Sequence, residues 1–366
     1  MPTEDFRDAS AGCAGDVDAA KDSRHVRARK SVLDSRSLSM AIQAAYDLPP
    51  SIDVRLYRIS GSDVYRVTDD ERAWFLKVYR STTYDAERAL ASVRALDLLH
   101  EHGFSVPQPV HTRRSDSLVE LQAVEGPRIA YMYEAAEGKE SFDETRAAHG
   151  YRFGETAARL HQLMDEVAAP EQFRAIDYDY LFGRYLRGVE RLLGAEDASI
   201  RFLRDLARAL WLELHERLPK SAPQFGFCHG DMHRENVVLT ETDQLFFLDF
   251  DACGYGWRVM DIGTYYVSYD WMGLDDESRA KRREVRAHFL KGYNAVRQVT
   301  EEEIETLDLF MAIRHFELLG IGIYRVPFSG AHWVTGEQLH ATTDWFRAWL
   351  RGCTWFGDDL SSFSEA

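Results

Sequence analysis

The chain has 366 residues, 45% of them hydrophobic and 28% charged, enough apolar content for a large core and about two domains. Sixty acidic residues against 44 basic ones give a net charge of −16, which argues against nucleic acid and anionic membrane surfaces as partners. No apolar run reaches the roughly 18 residues that a membrane span needs, and the four scattered cysteines, Cys13, Cys228, Cys253 and Cys353, suit a reduced cytoplasm.

Residues 1–38 mix acids with the basic run Arg24–Lys30, lack an apolar h-region and lack core periodicity. They read as a disordered tail rather than a signal peptide. Val64–Val67 and Trp74–Tyr79 alternate like paired strands about a turn at Asp69-Asp70. Arg88–His102 reads as a helix with Ala89, Val93, Leu96 and Leu99 on one face, closed by Gly103, Pro107 and Pro109. Three apolar stripes follow at helical spacing: Phe153 to Met164, Leu181 to Leu192, and Leu203 to Leu214, the last closed by Pro219. Near the end come charged helices over Glu277–Val296 and Glu301–Tyr324, the second opening on a Thr300/Glu303 capping box, and a final helix with Trp345 and Trp349.

The chemistry concentrates between Cys228 and Asp251, where the chain reads C-H-G-D-M-H-R-E-N, an apolar hairpin, then L-D-F-D. Asp231, Asn236 five residues later and Asp249 thirteen beyond that repeat the Asp-to-Asn spacing of the protein-kinase catalytic loop and its following metal-binding Asp. Val237–Leu239 and Leu245–Leu248 predict two short strands joined by turn residues Glu241-Thr242-Asp243, a hairpin that would return Asp249 to the side of Asn236. One carboxylate and one amide oxygen would suit Mg²⁺, leaving Asp231 to accept a hydroxyl proton. Asp, Asn and Gly also favour ordinary turns, yet the spacing, the hairpin and the D-F-D together make the catalytic reading the stronger. A zinc site of Cys228, His229, His233 and Cys253 is weaker, because H-E-x-x-H needs Glu where Gly230 stands.

At these residues the chain resembles the aminoglycoside phosphotransferase and choline kinase superfamily, in particular its branch of type II homoserine kinases and the stress-response kinase. The resemblance runs from about Ala45 to Trp349 and implies an α+β, bilobal protein-kinase-like fold. A small N-lobe with an antiparallel sheet plus a helix would occupy residues 39–131, a hinge 132–138, and a larger, mainly helical C-lobe 139–366. It implies Asp231 as catalytic base, Asn236 and Asp249 as Mg²⁺ ligands, His229 as a structural residue, and Asp261 as a brace of the catalytic loop or a helix cap. Asp251 would add to the metal site or hydrogen-bond beside it.

Lys77, in F-L-K-V, is similar to the strand lysine of V-A-I-K that reaches the ATP phosphates. The phosphate-covering turn would be Ser60–Asp63, with Ser62 at its tip, although it is not a G-x-G-x-x-G loop. Relatives place a lysine-pairing Glu where Ser92 stands here, so Glu87 is the substitute. Gly126–Glu134 is similar to the last N-lobe strand, with adenine bound by backbone near Met132 and Glu134 and Met132 packed beside the ring. The late C-lobe would line the acceptor pocket with Asp270, Trp271, Arg314, His315 and Glu317, and further on with Tyr324, Arg325, His332 and Trp333.

The resemblance thus implies transfer of the ATP γ-phosphoryl group, with Mg²⁺, to a hydroxyl of a small metabolite such as homoserine, an amino alcohol or a sugar. A protein Ser/Thr acceptor, an aminoglycoside acceptor and a non-catalytic binding module are the alternatives.

Overall fold

The computed structural model describes residues 28–80, 83–136, 138, 142–240, 242, 244–329 and 335–353. Most of the expected tail, together with His332 and Trp333, lies outside the described residues, as do the side chains of Tyr324 and Arg325. The chain divides into two units, Met1–Leu90 with Pro109–Glu134, and Ala91–Gln108 with Ala135–Ala366.

The first unit opens with helix α1, Ser35–Ala45, capped by the Asp34 carboxylate, which accepts the Ser37 N–H at 2.8 Å. Its strands are β1 (Asp53–Ile59), β2 (Asp63–Thr68), β3 (Ala73–Val78), β4 (Pro109–Val110), β5 (Val119–Ala123) and β6 (Gly126–Glu134). They form one antiparallel sheet in the order β1-β2-β3-β6-β4, with β5 also on β6. Period-two alternation sends Trp74, Leu76, Val78, Ala130 and Met132 to one face, where they pack with Leu38, Ile42 and Tyr46 of the α1 segment. The opposite face presents Phe75, Lys77, Tyr131 and Tyr133.

The tail boundary expected at residue 38 falls too late. Ser31 donates to Glu125 at 2.7 Å, the Leu33 N–H donates to the Tyr65 hydroxyl at 2.9 Å, and Leu38 is buried. An Asp cap followed by the stripe Leu38, Ile42, Tyr46 makes a short helix that covers one sheet face, and burial of that stripe holds the segment.

In the second unit, helix α2 (Thr83–Glu101) contributes Ala91–Glu101. It buries Ala89, Val93, Leu96 and Leu99, the face read from the sequence. The remaining helices are α3 (Ala147–Val167), α4 (Arg184–Leu193), α5 (Ala198–Arg217), α6 (Val259–Ser268), α7 (Asp276–Tyr293), α8 (Glu301–Ser329) and α9 (Gly336–Arg351). Helices α3 and α7 cross closely because glycines line the contact: a Cβ at Gly154 would lie 2.0 Å from the Phe289 carbonyl oxygen. The predicted capping box opens α8, with the Glu303 N–H on Thr300 Oγ1 at 3.3 Å and the Thr300 N–H on Glu303 Oε2 at 3.0 Å.

Two two-stranded sheets place the chemistry. β7 (Phe225–Cys228) pairs with β10 (Gly254–Trp257), and β8 (Val237–Leu239) pairs with β9 (Leu245–Phe247), both antiparallel. Residues 229–236 span β7 to β8 and residues 248–253 span β9 to β10, so the two pairings draw both polar loops to the same ends of strands. The antiparallel sheet followed by a mainly helical part matches the fold expected. Among the described residues no helix is long and apolar enough to cross a membrane.

Candidate active site

Gly230 carries φ +83°, and a Cβ there would lie 2.2 Å from the Ala252 carbonyl oxygen. Only glycine both adopts this backbone and leaves room for the neighbouring loop, which accounts for the G of H-G-D. The tight turn leaves two backbone donors pointing inward. Asp261, fully buried at the start of α6, accepts both, the His229 N–H at 2.7 Å and the Gly230 N–H at 2.8 Å. Of the two roles expected of it, Asp261 thus takes that of the brace.

A buried relay stands behind that carboxylate. Asp261 Oδ2 lies 3.0 Å from His161 Nε2, and His161 Nδ1 lies 2.7 Å from the Tyr293 hydroxyl. Arg297 donates to the Tyr293 oxygen at 3.0 Å and to Glu303 at 2.6 Å. The carboxylate can only accept, so the donors run in one direction, Arg297 to Tyr293 to His161 to Asp261. That direction requires a neutral His161, and burial holds its pKa down to about 4 against the pull of Asp261.

His229 joins the two loops. Its Nε2 meets the Leu248 carbonyl at 2.9 Å while Nδ1 accepts the Asp231 N–H at 3.2 Å. The Leu248 N–H in turn donates to the Asn236 carbonyl at 2.8 Å, so the hairpin returns the residue beside Asp249 to Asn236. Asp249 has φ +60°, one of two non-glycine residues in the left-handed region among the described residues, and its exposed carboxylate lies 3.4 Å from the Asp251 N–H. Non-glycine backbone in that region costs free energy and is characteristic of functional loops.

Both oxygens of the Asp231 carboxylate are engaged. Oδ1 receives Arg314 Nη2 of α8 at 2.6 Å, and Oδ2 receives Asn236 Nδ2 at 3.0 Å with His233 Nε2 at 3.3 Å. Burial alone would raise the pKa of Asp231, but the Arg314 charge, reinforced by His233, holds it well below the usual carboxylate range. Arg314 donates through Nη1 to Glu317 as well. The contact with Asp231 is not legible in the sequence, since 83 residues separate the two, whereas Arg314 and Glu317 are three residues apart on the predicted helix.

Asn236 is buried, and its Nδ2 also donates to the Asp231 carbonyl at 2.9 Å, which leaves the amide oxygen as its remaining polar atom. One amide oxygen and one carboxylate form a hard donor set that fits Mg²⁺, with phosphate oxygens and water to complete it. The zinc alternative does not fit. Burial raises the Cys228 thiol and pushes Cys253 up to about 12, and among the described residues no three His, Cys, Asp or Glu side chains gather as a metal cluster.

The other expected positions divide. Lys77 is buried on β3, its Nζ 5.3 Å from the centre of the Tyr79 ring. Ser62 is buried in the β1–β2 turn, with its carbonyl accepting the Ser60 N–H at 2.9 Å. Its neighbour Asp63 is fully buried in ion pairs with Arg128 at 2.7 Å and Lys30 at 2.8 Å, so that part of the turn anchors the sheet. Met132 does not sit beside a ring-binding face. It belongs to the core under α1, because strand alternation puts it on the face opposite Lys77. Glu134 ends β6, exposed, and Glu87 is an exposed residue of α2. At the position where relatives carry the lysine-pairing acid, Ser92 is fully buried and donates to Asp251 Oδ1 at 3.0 Å.

The chain and its fold have known relatives. The chain is 30% identical over 270 residues to homoserine kinase of Methylobacillus glycogenes, covering 72% of this chain and 77% of that one. Among solved structures, an amicoumacin kinase in complex with AMP-PNP, Ca²⁺ and Ami superposes with a TM-score of 0.70 at 20% identity, covering 91% of this chain and 98% of the other. A microcompartment-associated aminopropanol kinase superposes with 0.68 at 22% identity, covering 90% and 99%. The phosphotransferase enzyme family model matches residues 56–302, more than half of the chain. With its H-G-D loop and D-F-D turn inside that stretch, the protein belongs to the phosphotransferase enzyme family, whose members use ATP, and it transfers phosphoryl groups to hydroxyls.

Proposed function

We propose that this protein moves the γ-phosphoryl group of ATP to the hydroxyl of a small acceptor that also carries an amine, with Asp231 as the base. The reading rests above all on the Asp231 carboxylate, fixed by Asn236 and Arg314 in a loop whose backbone Asp261 holds. Homoserine and aminopropanol, named for two similar proteins, are small molecules with one hydroxyl and one amine. Glu317, paired to the same guanidinium as Asp231, supplies a second carboxylate to which an acceptor ammonium can turn.

In the mechanism, Asp231 accepts a hydrogen bond from the acceptor hydroxyl, aligns the oxygen for in-line attack and takes its proton as transfer proceeds. Arg314 and His233 keep the carboxylate ionised and fix its rotamer. Asn236 and Asp249 would hold Mg²⁺; in the first unit, Lys77 would supply positive charge toward nucleotide phosphates, and Ser62 and the backbone near Glu134 are the further groups proposed for the nucleotide. The ion, when bound, neutralises charge developing on the phosphates. Most of the acceleration comes from positioning and electrostatics, since the loose transition state asks little covalent help.

The test is ADP production with Mg·ATP against homoserine, amino alcohols, sugars, aminoglycosides and a Ser/Thr protein, with Asp231→Asn as blank. The expected result is acceptor-dependent ADP from wild type with a small hydroxylated amine and none from the blank. Equal turnover by Asp231→Asn, or activity on the protein alone, overturns the proposal.

A further inference from the structure

Helix α7 carries Arg279, Arg282, Arg283 and Arg286, spaced so that all four fall on one strip of the helix. They line a cavity of about 210 Å³, walled on its other sides by Tyr266 of α6, Asp308 of α8 and Trp349 of α9. Among the described lining residues these four guanidiniums meet one carboxylate, that of Asp308, in a chain whose net charge is −16. Like charges three and four residues apart on a helix repel, so the cluster is a standing cost to the free protein.

Structural work accounts for only part of it. Arg286 lies over the Tyr266 ring at 5.1 Å, and Asp308 already accepts the Tyr266 hydroxyl at 3.2 Å. Arg282, 1% exposed, donates to the Asp270 carbonyl at 2.7 Å and lies 3.6 Å from that residue's carboxylate. Its buried Nε–H has no hydrogen-bond partner among the described residues. A buried donor without a partner is costly and uncommon. Arg279 and Arg283 make no ion pair among the described residues, and Arg283 is exposed.

Guanidinium forks match the oxygens of phosphate in pairs. A water occupies about 30 Å³ of liquid, so the cavity takes either several waters or one small polyanion. We infer that this cavity between α6, α7, α8 and α9 is a binding site for a small phosphate-class polyanion, built from residues that take no part around Asp231. The ligand would bridge Arg279 and Arg283 at the open side and draw on the charge of Arg282 and Arg286 behind them.

Isothermal titration of the full chain with inorganic pyrophosphate, without nucleotide, tests this. Three proteins are compared: wild type, the double variant Arg279→Ala/Arg283→Ala, and Lys77→Ala, which removes a charge proposed for the nucleotide phosphates. Both arginines are at least partly exposed, so the double variant should keep the wild-type melting temperature and basal turnover. The inference expects its Kd for pyrophosphate to rise about tenfold or more, with little change in Lys77→Ala. An unchanged Kd in the double variant, loss of binding in Lys77→Ala alone, or no binding by wild type overturns it.

Discussion

Arg314 sets its guanidinium 2.6 Å from Oδ1 of Asp231 while it also donates to Glu317, so the proposed base is held by a cation that is itself shared. The ion pair lowers the basicity of Asp231 and fixes its direction. Arg314→Met removes the charge that depresses the Asp231 pKa. The acidic limb of the kcat/KM profile should then move to higher pH, and kcat should fall roughly tenfold or more, as expected for a disturbed general base. Arg314→Lys keeps the charge but loses the fork and should recover part of the rate. A profile that keeps its wild-type limb in Arg314→Met would remove Arg314 from the mechanism.

Asp231→Asn tests the base directly. The side chain keeps its shape, and its oxygen can still meet either Arg314 or Asn236, so the fold and ATP binding should survive. Turnover should fall by about 10² to 10⁴, the usual range for loss of a positioned base. The expected signature is an unchanged rise in melting temperature on adding Mg·ATP, together with a collapsed kcat.

Asp249→Ala should behave in the opposite way. Asp249 is proposed as a metal ligand, so its loss should abolish the stabilisation that Mg·ATP gives, while the apo protein keeps its melting temperature or loses slightly, because alanine tolerates the left-handed backbone no better than Asp and cannot accept the Asp251 N–H. A full Mg·ATP shift in Asp249→Ala contradicts the metal assignment and separates it from the role of Asp231.

Much of this arrangement was readable from local sequence because local sequence builds it. Gly230, Asp231 and Asn236 lie on one loop, and the β8–β9 hairpin brings Asp249 back within a few residues' separation of the pairing. Alternation located β2 and β3, and stripes located α3 and α5. What stayed hidden depends on contacts across long separations. Ser92 reaches Asp251 from 159 residues away, and Arg314 reaches Asp231 from 83. Met132 was misplaced because a Met beside an expected hinge carries no sign of which strand face it occupies; the register with Leu76 decides it. A tail boundary at residue 38 cuts through α1, Ser35–Ala45, because its first turns carry a single buried residue, Leu38, among polar neighbours.

The relay behind Asp261 makes stability depend on pH with a definite sign. His161 is buried and neutral in the folded protein, its pKa depressed from 6.5 to about 4, whereas in the unfolded chain it titrates normally. As pH falls from about 6.5 to about 4 the unfolded state therefore binds a proton that the folded state refuses. Stability from this group is full above that window and is lost progressively within it. His315, buried in a stack on Trp345 and lowered to about 4 mainly by burial, adds a loss of the same sign. Urea unfolding across the window should give a falling free energy at constant m. His161→Asn should be less stable than wild type above the window, because the Tyr293 and Asp261 bonds are broken or lengthened, yet it should lose less on acidification. A variant slope equal to wild type would mean that His161 does not carry the effect. The same substitution separates bracing from chemistry: the loop held by Asp261 should loosen, lowering kcat, with the pH limb set by Asp231 and Arg314 left in place.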